Sequence, residues 1–193
     1  YYYIKMKNIA VISGYDYDIN NWKISKTNQQ SIFDYLIATY NVIDVSISTD
    51  KYKLKLNELL KYIDGIIPYD SYLLCSSLGC MLGLLYSNVY KKKIKGLILL
   101  DPTTSKQKYR INNIDDIDIK NNIIIMLNLQ ENIRFINNFP IISHVVFPFK
   151  KLKNPDKKIS DDNVFEKFDH HFTFLKNISH HPKSNIILHP NVN

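Results

Sequence analysis

Between Asn8 and Asp101 the chain switches six times between short apolar runs and segments of helical period, and this alternation narrows the fold more than any other feature. Asn8–Ser13 (NIAVIS) is a β-branched run closed by Gly14, which reads as a strand and turn. Thr27–Tyr40 (TNQQSIFDYLIATY) spaces Ile32, Tyr35 and Leu36 as a helix does, with Thr27 or Ser31 as the cap. Asn41–Ile47 (NVIDVSI) alternates as a second strand. Leu54–Ile63 repeats leucines and an isoleucine at helical spacing. Ser71–Ser76 is an apolar strand, Leu78–Tyr90 (LGCMLGLLYSNVY) a third helix rich in small residues, and Gly96–Asp101 (GLILLD) a strand stopped by Pro102. Strands joined by single helices pair in parallel, and strands apolar throughout are covered on both faces. The expected architecture is an α/β domain with a doubly wound, mostly parallel sheet and helices on both faces.

The second half is less regular. Asn121–Asn128 (NNIIIMLN) is expected to be a buried strand, and His144–Phe149 (HVVFPF) a strand with an edge-type proline. Lys150–Asp162 reads as a polar, lysine-rich loop, Val164–Asn177 as a helix and Asn185–Leu188 as a last short strand. At 193 residues, without an internal repeat, the chain is expected to form a single domain spanning 1–193.

Composition excludes several classes. The net charge of +7 accompanies 29 isoleucines, 23 lysines and 21 asparagines but only two arginines, a bias that AT-rich codons produce. The lysine clusters at 91–95 and 150–153 lack interleaved aromatics, so no nucleic-acid partner is expected. No apolar run is long enough to span a bilayer, and the N-terminus lacks a secretory pattern, so a cytoplasmic location is expected. Cys75 and Cys80 are too few for a disulfide framework or a zinc site, and they read as small buried hydrophobes. His170-His171 and His180-His181 point apart as neighbours and lack companion ligands, so no metal is expected. The five glycines form no phosphate-binding loop, and no cofactor is expected.

One segment carries chemistry. In Leu73-Leu74-Cys75-Ser76-Ser77-Leu78-Gly79-Cys80 a strand enters a tight turn and a helix leaves it. A small residue two before Ser77 and a glycine two after it let strand and helix approach closely. The serine is then held on a strained turn at the C-terminal edge of the sheet. The Leu78 amide, at the helix N-terminus, faces an oxyanion.

Here the chain resembles the α/β-hydrolase superfamily over roughly residues 8–128. Cys75-x-Ser77-x-Gly79 looks like the nucleophile elbow, and Ile94–Pro102 like the strand after it with its Asp-Pro ending. Val11-Ile12-Ser13-Gly14-Tyr15, followed by Trp22, stands where the family has a strand, His-Gly and a Trp. Cys75 replaces the usual first glycine and Ser13 the usual histidine.

The resemblance implies Ser77 as nucleophile, with the Leu78 and Tyr15 amides as oxyanion hole. The acid is implied either on the strand ending in Asp-Pro, as Asp101, or after a following strand near Asn128–Glu131, as Glu131; Asp101 is preferred for its rigid strand end. The family's base follows its last strand, which indicates His189 if that strand is Asn185–Leu188. Only Thr103–Asn121 separates Asp101 from the next expected strand, too short for a helical cap, so an open site for a small acyl substrate is implied. The implied activity is that of a serine esterase or lipase-like hydrolase. The alternative is a hydrolase-fold protein without catalysis, serving as a binding or structural subunit with a protein partner. Cys75, the two choices of acid and a chain that closes just beyond His189 favour that alternative.

Overall fold

The computed structural model describes residues 6–23, 31–90, 93–100, 102–103, 111–131 and 142–146. The expected loop at 150–162, helix at 164–177 and strand at 185–188 lie outside them.

Among the described residues, five parallel strands form one sheet in the order β2-β1-β3-β4-β5: β1 (Lys7–Ile12), β2 (Tyr40–Asp44), β3 (Ser71–Ser76), β4 (Ile94–Leu100) and β5 (Ile142–Val146). Helix α1 (Ile32–Thr39) joins β1 to β2, α2 (Leu56–Ile66) joins β2 to β3, and α3 (Leu78–Val89) joins β3 to β4. The sheet is therefore doubly wound, as expected from the alternation. After β2 the chain reverses direction across the sheet, so right-handed crossovers place α1 on one face and α2 and α3 on the other.

Alternate strand residues serve the two faces. Ile9, Val11, Leu74 and Leu100 pack with Trp22 and Leu36 on the α1 side. Ala10, Ile12, Leu73, Cys75, Leu97 and Leu99 pack in the larger core beneath α2 and α3. Both sets are buried, which explains why these strands read as continuous apolar runs rather than as polar-apolar alternation.

Ser31, not Thr27, caps α1. The Asp34 N–H donates to Ser31 Oγ at 3.1 Å, and the Ser31 N–H returns a bond to Asp34 Oδ2 at 3.0 Å, a complete capping box.

The expected strand at Asn121–Asn128 is instead the middle of helix α4 (Ile117–Glu131). Ile119, Ile123, Met126 and Leu127 are buried at helical spacing, whereas Ile117 and Ile125 are exposed. A short apolar run satisfies either period, and length and capping decide. Here Asp116 supplies the cap, its Oδ1 accepting from the N–H groups of Asp118 at 3.1 Å and Ile119 at 3.2 Å. Helix α4 packs against α3 and against the 3-10 turn Thr49–Lys53, where Asn122 Nδ2 donates to the carbonyls of Tyr52 and Lys53. The next described strand after β4 is thus β5, which begins at Ile142, two residues before the expected His144–Phe149 strand, and overlaps it over His144–Val146. Among the described residues, no helix is long and apolar enough to cross a membrane.

Candidate active site

The reversal of strand order falls between β1 and β3, whose following loops leave toward opposite faces and open a crevice at the C-terminal edge of the sheet. The residues after those two strands, Ser13–Tyr15 and Ser77–Leu78, are the ones singled out from the sequence.

Ser77 separates β3 from α3 with φ 50° and ψ −119°, a left-handed conformation that costs a non-glycine residue of order 1–3 kcal/mol unless its surroundings impose it. The surroundings do. The Ser77 N–H donates to the Leu100 carbonyl at 3.0 Å, and the Ser77 carbonyl accepts from the N–H groups of Cys80 at 3.1 Å and Thr103 at 3.2 Å. The half-buried Ser77 side chain stands at the first turn of α3, where Leu78 contributes one of the helix's unpaired N-terminal amides.

Small residues permit this turn. A Cβ on Gly79 would collide with the carbonyl oxygens of Ile12 and Ser13, so only glycine lets α3 start against the end of β1. A Cβ on Gly14 would stand 3.2 Å from Ser77 Cβ and 3.7 Å from Ser77 Oγ, which places the loop after β1 directly beside the serine.

That loop is pinned in turn. The Trp22 indole N–H donates to Ser13 Oγ at 2.9 Å in a buried bond, and the Tyr17 N–H closes a turn on the Gly14 carbonyl at 3.2 Å. Ser13 and Trp22, separate in the sequence pattern, are one unit in the structure. Tyr15, next to Gly14, packs its ring at 5.4 Å from Tyr52. Its phenol is held above the usual tyrosine range by burial first and by nearby Asp16 second.

The two cysteines stay out of the chemistry. Both are buried and unpaired by disulfide, and burial pushes the Cys75 thiol far above its ordinary value, away from the thiolate a nucleophile needs. The Cys80 thiol donates to the carbonyls of Cys75 at 3.2 Å and Leu100 at 3.4 Å. An open concavity of about 440 Å³ lined by Met6, Ile19, Phe33 and Tyr40 lies along the outer strand β2 and includes none of these residues.

The structure thus sets Gly14, with Tyr15 next to it in the chain, beside Ser77 and Leu78 at the C-terminal edge of the sheet. Asp101 and His189 lie outside the described residues, as do His170, His171, His180 and His181. Glu131, the alternative acid, closes helix α4 rather than following a strand, so the rule that selected it does not apply to it. With 121–128 in helix α4, the next described strand after β4 is β5, and residues 101–141 lie between the two, so the expectation of a segment too short for a helical cap does not hold.

Sequence reasoning missed Thr103. Its fully buried side chain brings Oγ1 to 3.2 Å from Ser77 Oγ. The signal was the register: a segment leaving β4 beside β3 must run past the elbow, since Ser76 pairs with Leu100.

A doubly wound parallel sheet with a left-handed serine between its third strand and the following helix is the α/β-hydrolase fold. Among solved structures the chain is similar to MGS-MChE2, an α/β hydrolase enzyme from the metagenome of sediments of the lagoon of Mar Chica, Morocco. That match has a TM-score of 0.55 at 13% identity, over 96% of this chain and 80% of that one. The chain is also similar to the capsule O-acetyltransferase of Neisseria meningitidis serogroup A, at a TM-score of 0.51 and 16% identity, over 96% of this chain and 80% of that one. No protein-family model and no curated sequence matches the chain.

Proposed function

We propose that the protein is a serine hydrolase for a small ester, thioester or other acyl substrate. The observation that carries the reading is the left-handed Ser77 at the switch point of the sheet, with α3 beginning at the next residue and Gly14 against its side chain. Strain of this kind persists where the surroundings over-determine it, and it exposes a nucleophile.

In this mechanism Ser77 Oγ attacks the acyl carbonyl while a histidine, His189 in the sequence's own order, takes the hydroxyl proton and Asp101 orients the imidazole. The amides of Leu78 and Tyr15 hold the oxyanion of the tetrahedral intermediate. The intermediate collapses to an acyl-Ser77 ester, and the leaving alcohol or thiol carries away the proton from the imidazolium. Water, deprotonated by the same base, then releases the acid and restores Ser77.

The test is labelling with a fluorophosphonate probe. The wild type labels and Ser77→Ala does not. A well-folded wild type that does not label overturns the enzymatic reading and leaves a non-catalytic hydrolase-fold scaffold with a protein partner.

A further inference from the structure

We propose that Thr103 is a positioning residue for Ser77, its buried hydroxyl donating a hydrogen bond to Ser77 Oγ that strengthens as the serine gives up its proton. The proposal rests on Ser77 being the nucleophile.

Thr103 grips Ser77 at two points. Its N–H donates to the Ser77 carbonyl at 3.2 Å, and its Oγ1 stands 3.2 Å from Ser77 Oγ. The first contact belongs to the backbone and survives substitution; the second belongs to the hydroxyl. Thr103 is fully buried, and a buried hydroxyl is stable only with a partner. Threonine also has a restricted χ1, so the backbone of residues 102–103 aims the hydroxyl with little freedom left to lose.

Direction follows from chemistry. In the resting state either hydroxyl can donate. Once the base has taken the Ser77 proton, Oγ has no hydrogen and only accepts, so Thr103 becomes the donor. A hydrogen bond to a charged oxygen is about twice as strong as a neutral one, so the interaction favours the charged state over the ground state. The same bond supports Oγ as leaving group when the acyl-serine is hydrolysed. With Thr103 donating, the Ser77 proton is also free to point at the base rather than being held by its neighbour.

The experiment compares fluorophosphonate labelling rates of the wild type, Thr103→Val and Thr103→Ser, each with its thermal unfolding midpoint. Valine keeps the volume and the backbone contact and removes only the hydroxyl, so labelling slows about tenfold at an unchanged midpoint, the worth of one hydrogen bond. Serine restores the rate toward that of the wild type. Should valine fail to fold, Thr103→Ala makes the same deletion against the same serine control. A wild type that labels with Thr103→Val labelling equally fast overturns the positioning role alone, as does a serine variant as slow as valine. A folded wild type that never labels overturns this role together with the proposed function.

Discussion

The thiol of Cys75 fills the space that a side chain on Gly83 would need. A Cβ on Gly83 would collide with Cys75 Sγ and lie 3.4 Å from Cys75 Cβ. The hydrolase resemblance has glycine at the position of Cys75, and the bulk added on the strand is matched by bulk missing one turn into α3. Strand and helix therefore keep the close approach that the turn at Ser77 requires.

This pairing reverses an ordinary rule. Gly→Ala within an open helix is stabilising by about 1 kcal/mol. At Gly83 the new methyl meets a buried sulfur, and Gly83→Ala destabilises by about 1–3 kcal/mol instead. Cys75→Ala in the same chain removes the sulfur and recovers most of the loss. Urea unfolding of both single variants and the double variant measures the coupling, and additive losses would show that the two sites do not share space.

Gly79 is less forgiving. Its neighbours are the backbone carbonyls of Ile12 and Ser13, which cannot swing aside as a side chain can. Gly79→Ala pushes α3 off β1 and costs more than about 3 kcal/mol, the range of severe overpacking. The expected result is a large drop in the thermal midpoint, and a fluorophosphonate rate that falls even in the fraction that remains folded.

Lys93 ties the end of α2 to α3. Its Nζ donates to Asp64 Oδ1 at 2.7 Å and to the carbonyls of Asp64 at 3.0 Å and Ile67 at 3.3 Å, while the Tyr86 hydroxyl donates to the same Asp64 Oδ1 at 3.0 Å. The lysine side chain is only 13% exposed, so its bonds are poorly replaced by water. Lys93→Met leaves the carboxylate with the Tyr86 hydroxyl and strands two helix-end carbonyls, and it destabilises by about 1–3 kcal/mol. Equilibrium urea unfolding at neutral pH checks this, and a change inside experimental error would place the network among the inconsequential surface pairs.

The capping box of α1 makes an acid limb. Backbone and hydroxyl hydrogen bonds from Ser31 hold the Asp34 carboxyl below the ordinary aspartate range. A depressed carboxyl stabilises the fold fully above its unfolded value, near pH 3.9, and loses that contribution as pH falls through the folded value. Stability should therefore fall with acidification below about pH 4 more steeply in the wild type than in Asp34→Asn. Parallel unfolding curves for the two chains across that window would remove Asp34 from the account.

The elements legible in the sequence were those whose signal is local. β1, β3, β4 and α3 fall within a few residues of their expected bounds, because a β-branched or leucine-rich run closed by glycine or proline has little choice of structure. The strained serine was legible as well, since small residues at 75 and 79 around Ser77 are a steric requirement of the turn itself. Residues 121–128 read as a strand because five apolar residues in eight fit either period. What decided them was Asp116, a cap whose meaning depends on the helix behind it.

By itself, then, the sequence determined the order of strands and helices as far as β4, the parallel sheet and the place of Ser77, all of which follow from periodicity and backbone sterics over ten residues or fewer. Only the tertiary structure decided that α1 lies opposite α2 and α3, that Gly83 makes room for Cys75, and that Thr103 reaches Ser77 from 26 residues away. Those relations depend on strand register and on the direction of each crossover, and neither quantity is a property of any short stretch of chain.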